Sequence, residues 1–448
     1  MSELLPTLER VLDRARPGEE VEAYGVDETE TTVRAHEGEV ESLSSSRKRG
    51  IGVRMLVDGC FGYAHTSDLS ESALDDALAA ARANAGAGTP DEANVLPAGV
   101  PAEPVEGLYH PGAVDVPTSA KVQTALDLEA AVRGAGAPVR GVEMALCGDG
   151  IAEAAIASTR GVRGTTRRSE AYVLVEALCE AEGTSTSAYG VRLGRHLDEL
   201  DVEGAARDAV TRSARLLGGR QPTSGRIPVL LDPQVTADVL GVLSAALSAE
   251  AAQRGRSLFA DRVGDHLAES HVTLVDDGRH PQGPASAPFD GEGVPTQRTM
   301  LLADGVLTGF LHDSRSAARA GATSTGNAVR AGHRGPPTVG PTNGYLEPGQ
   351  DDPDTLFARA GEAFYCQQVM GLHSGANPVS GELSVGAAGL MVRDGAFAEP
   401  VREATIAGSI PDLLAGIVAV GNDLRFVPVA GGMGGQTLLV ESMTLAGS

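Results

Sequence analysis

The sequence predicts an α+β fold: an N-terminal α+β domain with an antiparallel sheet, then a C-terminal, mainly β domain with a few helices. Three observations lead to this class. After residue 20 the apolar residues change from helical spacing to alternation, and strands and helices do not follow one another as in a βαβ series. Later in the chain, Asp-Gly turns separate short apolar runs, which is typical of β structure.

The N-terminal segment is predicted to form a helix, a group of strands and a second helix. Apolar residues at helical spacing predict the first helix over 4–15. Alternation within 20–66 predicts strands, and Asp58-Gly59 is typical of a hairpin turn. A further helix is predicted over 70–84, with Ser70 as its N-cap.

The middle of the chain begins with a predicted loop. Residues 86–117 are rich in Gly and Pro and have no regular apolar pattern. Gly148-Asp149-Gly150 is predicted to be the turn of a hairpin. The predicted elements here are a helix over 118–133, strands over 139–146, 151–159 and 170–180, and a helix over 202–217.

Thr223-Ser224-Gly225 predicts a domain boundary. The first domain would cover residues 1–220, with sub-parts 1–85 and 118–220 joined by the loop, and the second would cover 221–448. In the second domain a strand is predicted over 227–231, and Asp232-Pro233 would start a helix that reaches Ala252. Turns are predicted at 276–278, 303–305 and 393–395, and a long loop over 331–349.

Composition and charge limit the function classes. The chain has 448 residues, of which 42% are hydrophobic, so it is long enough for at least two domains. A net charge of −24 disfavours binding to nucleic acid or to an anionic membrane surface. The N-terminus has no signal pattern, and no apolar run approaches the ~20 residues of a membrane span, which predicts a cytoplasmic protein.

Several candidate chemistries are weak. His266, His271 and His280 have spacings that fit no standard metal motif, and we interpret them as surface residues rather than ligands. The sequence has no Gly-x-Ser-x-Gly nucleophile elbow, and the glycines at 431–435 lie between strand-like runs, which favours a turn or bulge over a phosphate site. Cys60, Cys147, Cys179 and Cys366 are scattered, so we expect reduced thiols, and we interpret Cys366 as a core residue rather than a nucleophile.

A polar segment in the second half is a stronger candidate. Residues 323–330 combine small hydroxyl side chains, a Gly-Asn pair and a terminal arginine, which offer hydrogen bonds to the main chain of an extended peptide. A tight loop packed against the β domain explains the same residues equally well. The candidate peptide-binding residues are Ser314, Arg315, Thr325, Gly326, Asn327 and Arg330.

Six runs, in order along the chain, resemble the TldD/PmbA family. The N-terminal signature lies in residues 34–43 and 50–64, and the other runs are 257–264, 305–330, 375–386, 400–408 and 420–424. Catalytic members of this family are zinc peptidases with a His-Glu-x-x-x-His helix and a ligand Cys in a C-terminal glycine-rich turn. The only His-Glu pair here is His36-Glu37, and position 41 is Glu rather than His.

The segments that the resemblance matches to the zinc site also lack the ligands. Residues 237–250 contain no His, and residues 430–435 contain no Cys. The resemblance therefore implies the PmbA (TldE)-like branch, which has no zinc-binding motif, and no cofactor in this chain.

By resemblance, we expect a non-catalytic subunit in a heterodimer with a TldD-like zinc peptidase, which would carry the zinc. The complex would degrade unfolded peptides or trim leader peptides, and this chain would help to hold the extended peptide. For the isolated chain, a homodimer is the expected alternative to the heterodimer. Two other functions stay open: a stand-alone hydrolase with a site unlike that of the family, and a homodimeric peptide-binding protein.

Overall fold

The computed structural model describes residues 3–427 and 430–447, and it has the predicted α+β composition. The helices are α1 (Leu4–Leu12), α2 (Glu71–Gly86), α3 (Thr118–Gly134), α4 (Val202–Ala214), α5 (Pro233–Ala246), α6 (Ala249–Gln253), α7 (Ser314–Ala320), α8 (Pro353–Ala360), α9 (Leu372–Gly375) and α10 (Ile410–Ala415). The strands of the first half are β1 (Glu20–His36), β2 (Glu39–Val57), β3 (Cys60–Thr66), β4 (Val139–Ser158), β5 (Arg163–Ala181) and β6 (Thr184–Gly194).

The second half contains shorter strands. They are β7 (Gly225–Leu231), β8 (Leu274–Asp277), β9 (Arg298–Ala303), β10 (Val306–Leu307), β11 (Ala328–Val329), β12 (Thr338–Val339), β13 (Asn343–Leu346), β14 (Ala363–Met370), β15 (Glu382–Arg393), β16 (Ala396–Ser409), β17 (Ile417–Val420), β18 (Arg425–Val427), β19 (Gly432–Gly435) and β20 (Leu438–Gly447). In the part of the chain described, no helix is both long and apolar enough to cross a membrane.

The first half is built on one antiparallel sheet with the strand order β3-β2-β1-β4-β5-β6. Helices α1 and α2 pack on one end of it, around Leu8, Ile51 and Leu74. Helices α3 and α4 pack on the other end, around Leu128 and Val173. In β5 buried residues alternate with partly exposed ones from Ser169 to Cys179, as expected of a strand covered on one face.

The predicted hairpin at Gly148-Asp149-Gly150 is wrong, because this tripeptide lies inside one uninterrupted strand, β4. Both neighbouring strands pair with it: Asp149 is opposite Thr31 of β1 and opposite Ala171 of β5. A Cβ atom at Gly148 would overlap the ring of Tyr172, so this glycine makes room for a packed aromatic residue rather than for a turn. Pairing on both sides overrides the local turn preference.

Two six-stranded sheets of the second half share one core. The first has the order β10-β9-β8-β13-β19-β18; the second has the order β16-β15-β14-β7-β20-β17 and is closed by an additional pairing of β16 with β20. Helix α5 contacts β14 of the second sheet and β13, β18 and β19 of the first. It therefore lies between the two sheets, with Phe259 and Phe364 fully buried in the same core.

The helix predicted to run to Ala252 is two helices. Helix α5 ends at Ala246, and α6 begins at Ala249. Between them the backbone pairs with Leu311, since the Leu311 N–H donates to the Leu247 carbonyl and the Ala249 N–H donates to the Leu311 carbonyl, both at 2.9 Å. These bonds compete with helical ones and interrupt the helix.

Three predicted turns or loops also contain strands. Asp276 is a buried residue of β8 rather than a turn residue, and the predicted loop 331–349 contains β12 and β13. The glycine tract forms β19, which is parallel to β13. The strand-like run before the glycines covers residues 425–429, and its last two residues lie outside the described residues. Ser70 precedes α2 as predicted, but its side chain makes no capping bond.

Candidate functional site

The segments matched to the family's zinc site, α5 and the glycine-rich strand β19, lie directly against each other. Asp232 starts α5 by accepting a hydrogen bond from the Gln234 N–H at 2.9 Å, and Pro233 is the first helical residue. A Cβ atom at Gly435 of β19 would overlap the carbonyl oxygen of Pro233 and lie 2.8 Å from the backbone nitrogen of Ala237. Glycine at this position therefore allows the strand to touch the first turn of the helix.

The side chains present between these segments do not fit a zinc ion. Asp238 and Glu250 are the only His, Cys, Asp or Glu residues in 237–250. The Glu250 carboxylate pairs with Arg254 at 2.6 Å, and Asp238 accepts a hydrogen bond from Gln234 at 3.1 Å. Within residues 3–427 and 430–447, no group of three or more such side chains could hold a metal ion. A catalytic zinc site needs three protein ligands, so the donor set is inadequate.

The carboxyl group of Asp238 nevertheless has a raised pKa. Burial raises the pKa of its carboxyl group to about 6, the hydrogen bond from Gln234 opposes this increase, and the charge of Asp232 adds to it. The side chain is thus half ionised at mildly acidic pH. No second acid or base is bonded to it among the described residues, so it forms no proton-transfer pair.

We expect Asp238→Asn to change stability in a pH-dependent way. In the folded chain the carboxyl group keeps its proton up to about pH 6, whereas in the unfolded chain it ionises near about pH 4. Its contribution to stability is therefore fully present below about pH 4 and is lost as the pH rises through about 6. Because the group is partly exposed, the variant should be more stable than the parent by only about 1 kcal/mol at about pH 7.5 and equal to it near about pH 4. Urea unfolding at both values tests this, and equal differences at the two would contradict it.

Asp232 also connects the two halves of the molecule. The Arg212 guanidinium of α4 donates to its carboxylate at 2.6 Å and to the carbonyl oxygen of Gln367 at 2.9 Å. The Tyr365 hydroxyl donates to the same carboxylate. Asp232 is almost fully buried. Arg212, Tyr365 and the Gln234 N–H together use both of its carboxylate oxygens. We therefore interpret Asp232 as a residue of the junction between α4 and the second half.

The centre of the predicted peptide-binding loop, Gly326 to Ala328, is buried, whereas Thr323 is exposed. Asn327 is 1% exposed, and its amide donates to Asp276 at 2.7 Å and to the carbonyl of Gly340 at 3.1 Å. The Thr325 hydroxyl donates to the Asn327 side-chain oxygen at 2.7 Å. A Cβ atom at Gly326 would lie 2.5 Å from a backbone oxygen of the neighbouring segment. These contacts are those of a tight loop packed on the β domain, one of the two interpretations of this segment.

Arg330, at the end of this loop, belongs to a buried ionic network that the sequence did not reveal. Its guanidinium pairs with Glu22 of β1. Arg54 of β2 bridges Glu22 at 2.6 Å and Glu292 at 2.8 Å, and all four side chains are at most 6% exposed. Burial acts to raise the pKa of Glu292, but the charge of Arg54 and the backbone hydrogen bond from Ser314 lower it overall. The network joins the first sheet to the second half.

The other predicted residues lie near this network. The Ser314 N–H donates to Glu292 at 2.8 Å, and the Ser314 hydroxyl is buried without a hydrogen-bond partner among the described residues. Arg315 pairs with Asp91 at 2.9 Å near the surface. The predicted residues are therefore close to one another, and the hydrogen bonds and ion pairs described above engage their polar groups with other residues of this chain. Peptide binding by them stays a prediction.

The remaining candidates are not brought together. His280 lies between the rings of Tyr345 and Phe426, whereas His266 makes an isolated bridge to Val306. With His271 they form no metal-binding group in the described part of the chain. Cys366 is fully buried, and burial raises the pKa of its thiol, as expected of a core residue.

Three family models match this chain. The model of the PmbA/TldA metallopeptidase C-terminal domain matches residues 224–447, that of domain 1 matches 21–85 and that of the central domain matches 112–217. Metalloprotease PmbA of Escherichia coli O157:H7 is 27% identical over 409 residues, which cover 89% of this chain and 86% of that protein.

Solved structures have the same fold. A Thermotoga maritima protein described as a modulator of a DNA gyrase superposes with a TM-score of 0.90 at 26% identity and covers 98% of this chain and 99% of that one. TldE of Thermococcus kodakarensis superposes with a TM-score of 0.88 at 21% identity and covers 99% of each chain; at that identity the likeness shows the fold alone.

Together, the fold and the matched domains define a protein of metallopeptidase architecture. The chain belongs to the PmbA/TldD family. This confirms the family resemblance that the six sequence runs predicted.

Proposed function

We propose that this chain is the non-catalytic subunit of a TldD/TldE-type zinc peptidase complex, in which a TldD-like partner holds the zinc. The observation that carries the proposal is the donor set between α5 and β19. Asp238 and Glu250 are the only potential ligands in 237–250, and each is bonded to a neighbouring side chain. With neither an imidazole nor a thiolate in these two segments, the chain has no means of activating a zinc-bound water there.

The intact scaffold supports a structural role in that complex. All three family domains match, and the contact between α5 and β19 is close-packed even though it carries no zinc ligand set. In our proposal the chain encloses the substrate space beside the partner's zinc and helps to align an extended peptide. Main-chain pairing suits such a substrate, because it tolerates many side chains. Unfolded peptides or leader peptides are the proposed substrates.

Co-expression tests the proposal. The chain should be produced with and without a TldD-type chain from the same genome that carries His-Glu-x-x-x-His. We expect a stable complex that contains zinc and cleaves an unstructured peptide, and we expect chelation of the zinc to abolish cleavage. If the chain neither binds nor stimulates such a partner, the proposal is wrong.

A zinc titration of the isolated chain supplies a matched control. If the chain bound zinc, a free zinc concentration 100 times the dissociation constant would stabilise the fold by about 2.7 kcal/mol. The melting temperature would then rise by roughly 2–4 °C or more. We expect a shift of less than about 1 °C, because no three-ligand group occurs in the described residues. A saturable increase in melting temperature would contradict the proposed absence of zinc from this subunit.

The two alternative functions predict different outcomes. A metal-free and partner-free sample that cleaved an unstructured peptide would favour the stand-alone hydrolase. A sample that bound the peptide without cleaving it, and that ignored the TldD-type chain, would favour the peptide-binding protein. Mass measurement with and without the partner distinguishes both from the proposed subunit.

A further inference from the structure

A short two-stranded ribbon of the second half reaches onto the first sheet. Strands β11 and β12 form a two-stranded sheet of their own. The loop that joins them contains Arg330, which belongs to the buried ionic network, and His333, which is only 5% exposed. We refer to residues 328–339 as the ribbon. Its contact with the first sheet therefore includes a buried histidine beside the ionic network.

His333 fills a space above two glycines of β2. A Cβ atom at Gly50 would overlap the His333 ring, and a Cβ atom at Gly52 would lie 2.6 Å from the His333 carbonyl oxygen. Any larger residue at either position would collide with the ribbon, because packed interiors leave no spare room for an added methyl group. The two glycines thus form the floor of a socket for His333.

Two polar groups of the first half hold the histidine in this socket. The Tyr63 hydroxyl of β3 donates to the His333 carbonyl oxygen at 2.8 Å, and burial raises the pKa of this phenol, so it stays neutral. The Ser67 hydroxyl lies 3.2 Å from the His333 Nε2 atom. A serine hydroxyl can donate or accept, so this bond does not by itself distinguish a neutral ring from a protonated one.

The charges around the socket disfavour a protonated His333. Burial lowers the pKa of His333, and the charges of Arg334 and His65 lower it further. The His65 ring centroid lies 6.0 Å from that of His333, and Arg334 is the next residue of the ribbon. The charged residues of β2 that flank the two glycines, Arg49 and Arg54, are cations as well.

The carboxylates at this corner of the molecule are bonded to other groups. Glu22 of β1 pairs with Arg54 and with Arg330 at the start of the ribbon loop. Asp68, which follows Ser67, accepts a hydrogen bond from the Ser70 N–H at 2.9 Å. A proton added to His333 would therefore enter a buried site among cations.

We propose that the ribbon is a pH-sensitive latch: His333 holds it on the first sheet at neutral pH, and protonation of His333 releases it at mildly acidic pH. A released imidazole titrates near about pH 6.5, whereas the docked ring resists protonation. A fall in pH below about 6.5 therefore favours the released ribbon until the docked ring is protonated as well. Release uncovers Gly50, Gly52 and the pair of Arg330 with Glu22, and so loosens the junction between the first sheet and the second half.

Hydrogen–deuterium exchange of the full chain tests the latch. An isolated two-stranded ribbon is marginally stable in water, so the amides of residues 328–339 should lose protection on release. If the docked ring stays neutral, release is favoured about tenfold more at about pH 5.5 than at about pH 7.5. We expect exchange of the ribbon to accelerate towards this limit once the intrinsic pH dependence of amide exchange is divided out. Strands β4 and β5 should keep their protection at both values.

A variant without the titrating group should lose this response. His333→Gln keeps a polar side chain that can bond to Ser67 but cannot take up a proton in this range, so its ribbon should exchange at similar corrected rates at both pH values. His271→Gln is the matched control, because His271 is an exposed histidine, and it should respond to pH like the parent.

A steric variant should release the ribbon without any change of pH. The Cβ atom added by Gly50→Ala would overlap the His333 ring, so the ribbon of this variant should exchange rapidly at both pH values. Gly141→Ala in β4 is the matched control, since its added Cβ would meet no described atom within 4 Å. Its ribbon should behave like that of the parent.

Three results would each overturn the inference. One is a change of less than about twofold in the corrected exchange of the parent's ribbon between the two pH values. The others are an equal acceleration of β4 and β5, and a His333→Gln variant that responds to pH like the parent. Circular dichroism verifies that each variant folds, and the two histidine variants decide the case if Gly50→Ala does not.

Discussion

Arg54→Met should lower the free energy of unfolding by about 3–5 kcal/mol. The substitution keeps most of the side-chain volume but removes the cation that bridges Glu22 and Glu292 at 2.6 and 2.8 Å. Glu22 keeps Arg330 as a partner, whereas Glu292 would keep only the Ser314 N–H and become a nearly uncompensated buried charge. Urea unfolding of the variant and the parent measures the difference.

The pH dependence and a double variant identify the cause of that loss. The pKa of Glu292 is lowered in the folded chain, so its ionic contribution is present above its unfolded pKa of about 4.3 and is lost as the pH falls through the folded value. The difference between parent and Arg54→Met should therefore shrink at acidic pH. Arg54→Met combined with Glu292→Gln should recover about 1–2 kcal/mol, since the orphaned charge is gone while Ser314 keeps an acceptor.

The exposed Arg160 serves as the control for the arginine prediction. It lies 3.5 Å from Glu20 with about half of its side chain in solvent. Arg160→Met should change stability by less than about 1 kcal/mol. If both arginine variants had the same small effect, the network would not be the strong junction that its burial indicates.

Local patterns in the sequence predicted the elements with clear periodicity. The helices α1 to α4, the hairpin at Asp58-Gly59 and the start of α5 at Asp232-Pro233 were all predictable, because caps, turns and apolar spacing act within a few residues. The family was predictable too, since its six runs are spread over both halves of the chain.

Strands that form because they pair with segments far away in the sequence were not predictable from local patterns. The polar run 39–49 has no strand-like alternation of apolar residues, yet it forms half of β2 because β1 pairs with it throughout. The strand β6 was missed for a similar reason: it is held by β5 on one side and covered by α4. Glycines inside β4 were interpreted as a turn because the sequence alone does not show the two strands beside them.

The buried ionic network was the main feature of the site region that the sequence analysis missed. One signal was present: Arg54 interrupts the apolar run 51–57, and a charged residue inside a buried strand requires a partner. The identity of that partner depends on the packing of the second half against the first sheet, since Glu292 is separated from Arg54 by 238 positions. Spacing alone contains no information on such a contact.

Gly435→Ala should lower the free energy of unfolding by roughly 3 kcal/mol, at the upper end of the usual cost of overpacking. The added Cβ would overlap the Pro233 carbonyl and approach the Ala237 nitrogen to 2.8 Å. Both atoms are backbone atoms in the first turn of α5, so relief requires the helix or β19 to move. Urea unfolding is again the measurement.

Gly408→Ala is the matched control for Gly435→Ala, because Gly408 lies in β16 and the nearest atom to its added Cβ is the Met443 Cε at 3.9 Å. This variant should differ from the parent by less than about 0.5 kcal/mol. Equal stability of the two alanine variants would show that the helix and the glycine-rich strand are not in contact. If the predicted difference is found, the contact also bears on the zinc question. A strand packed this closely at 435 has no room for a ligand side chain there, so introducing a thiolate at that position would require α5 to move away from β19.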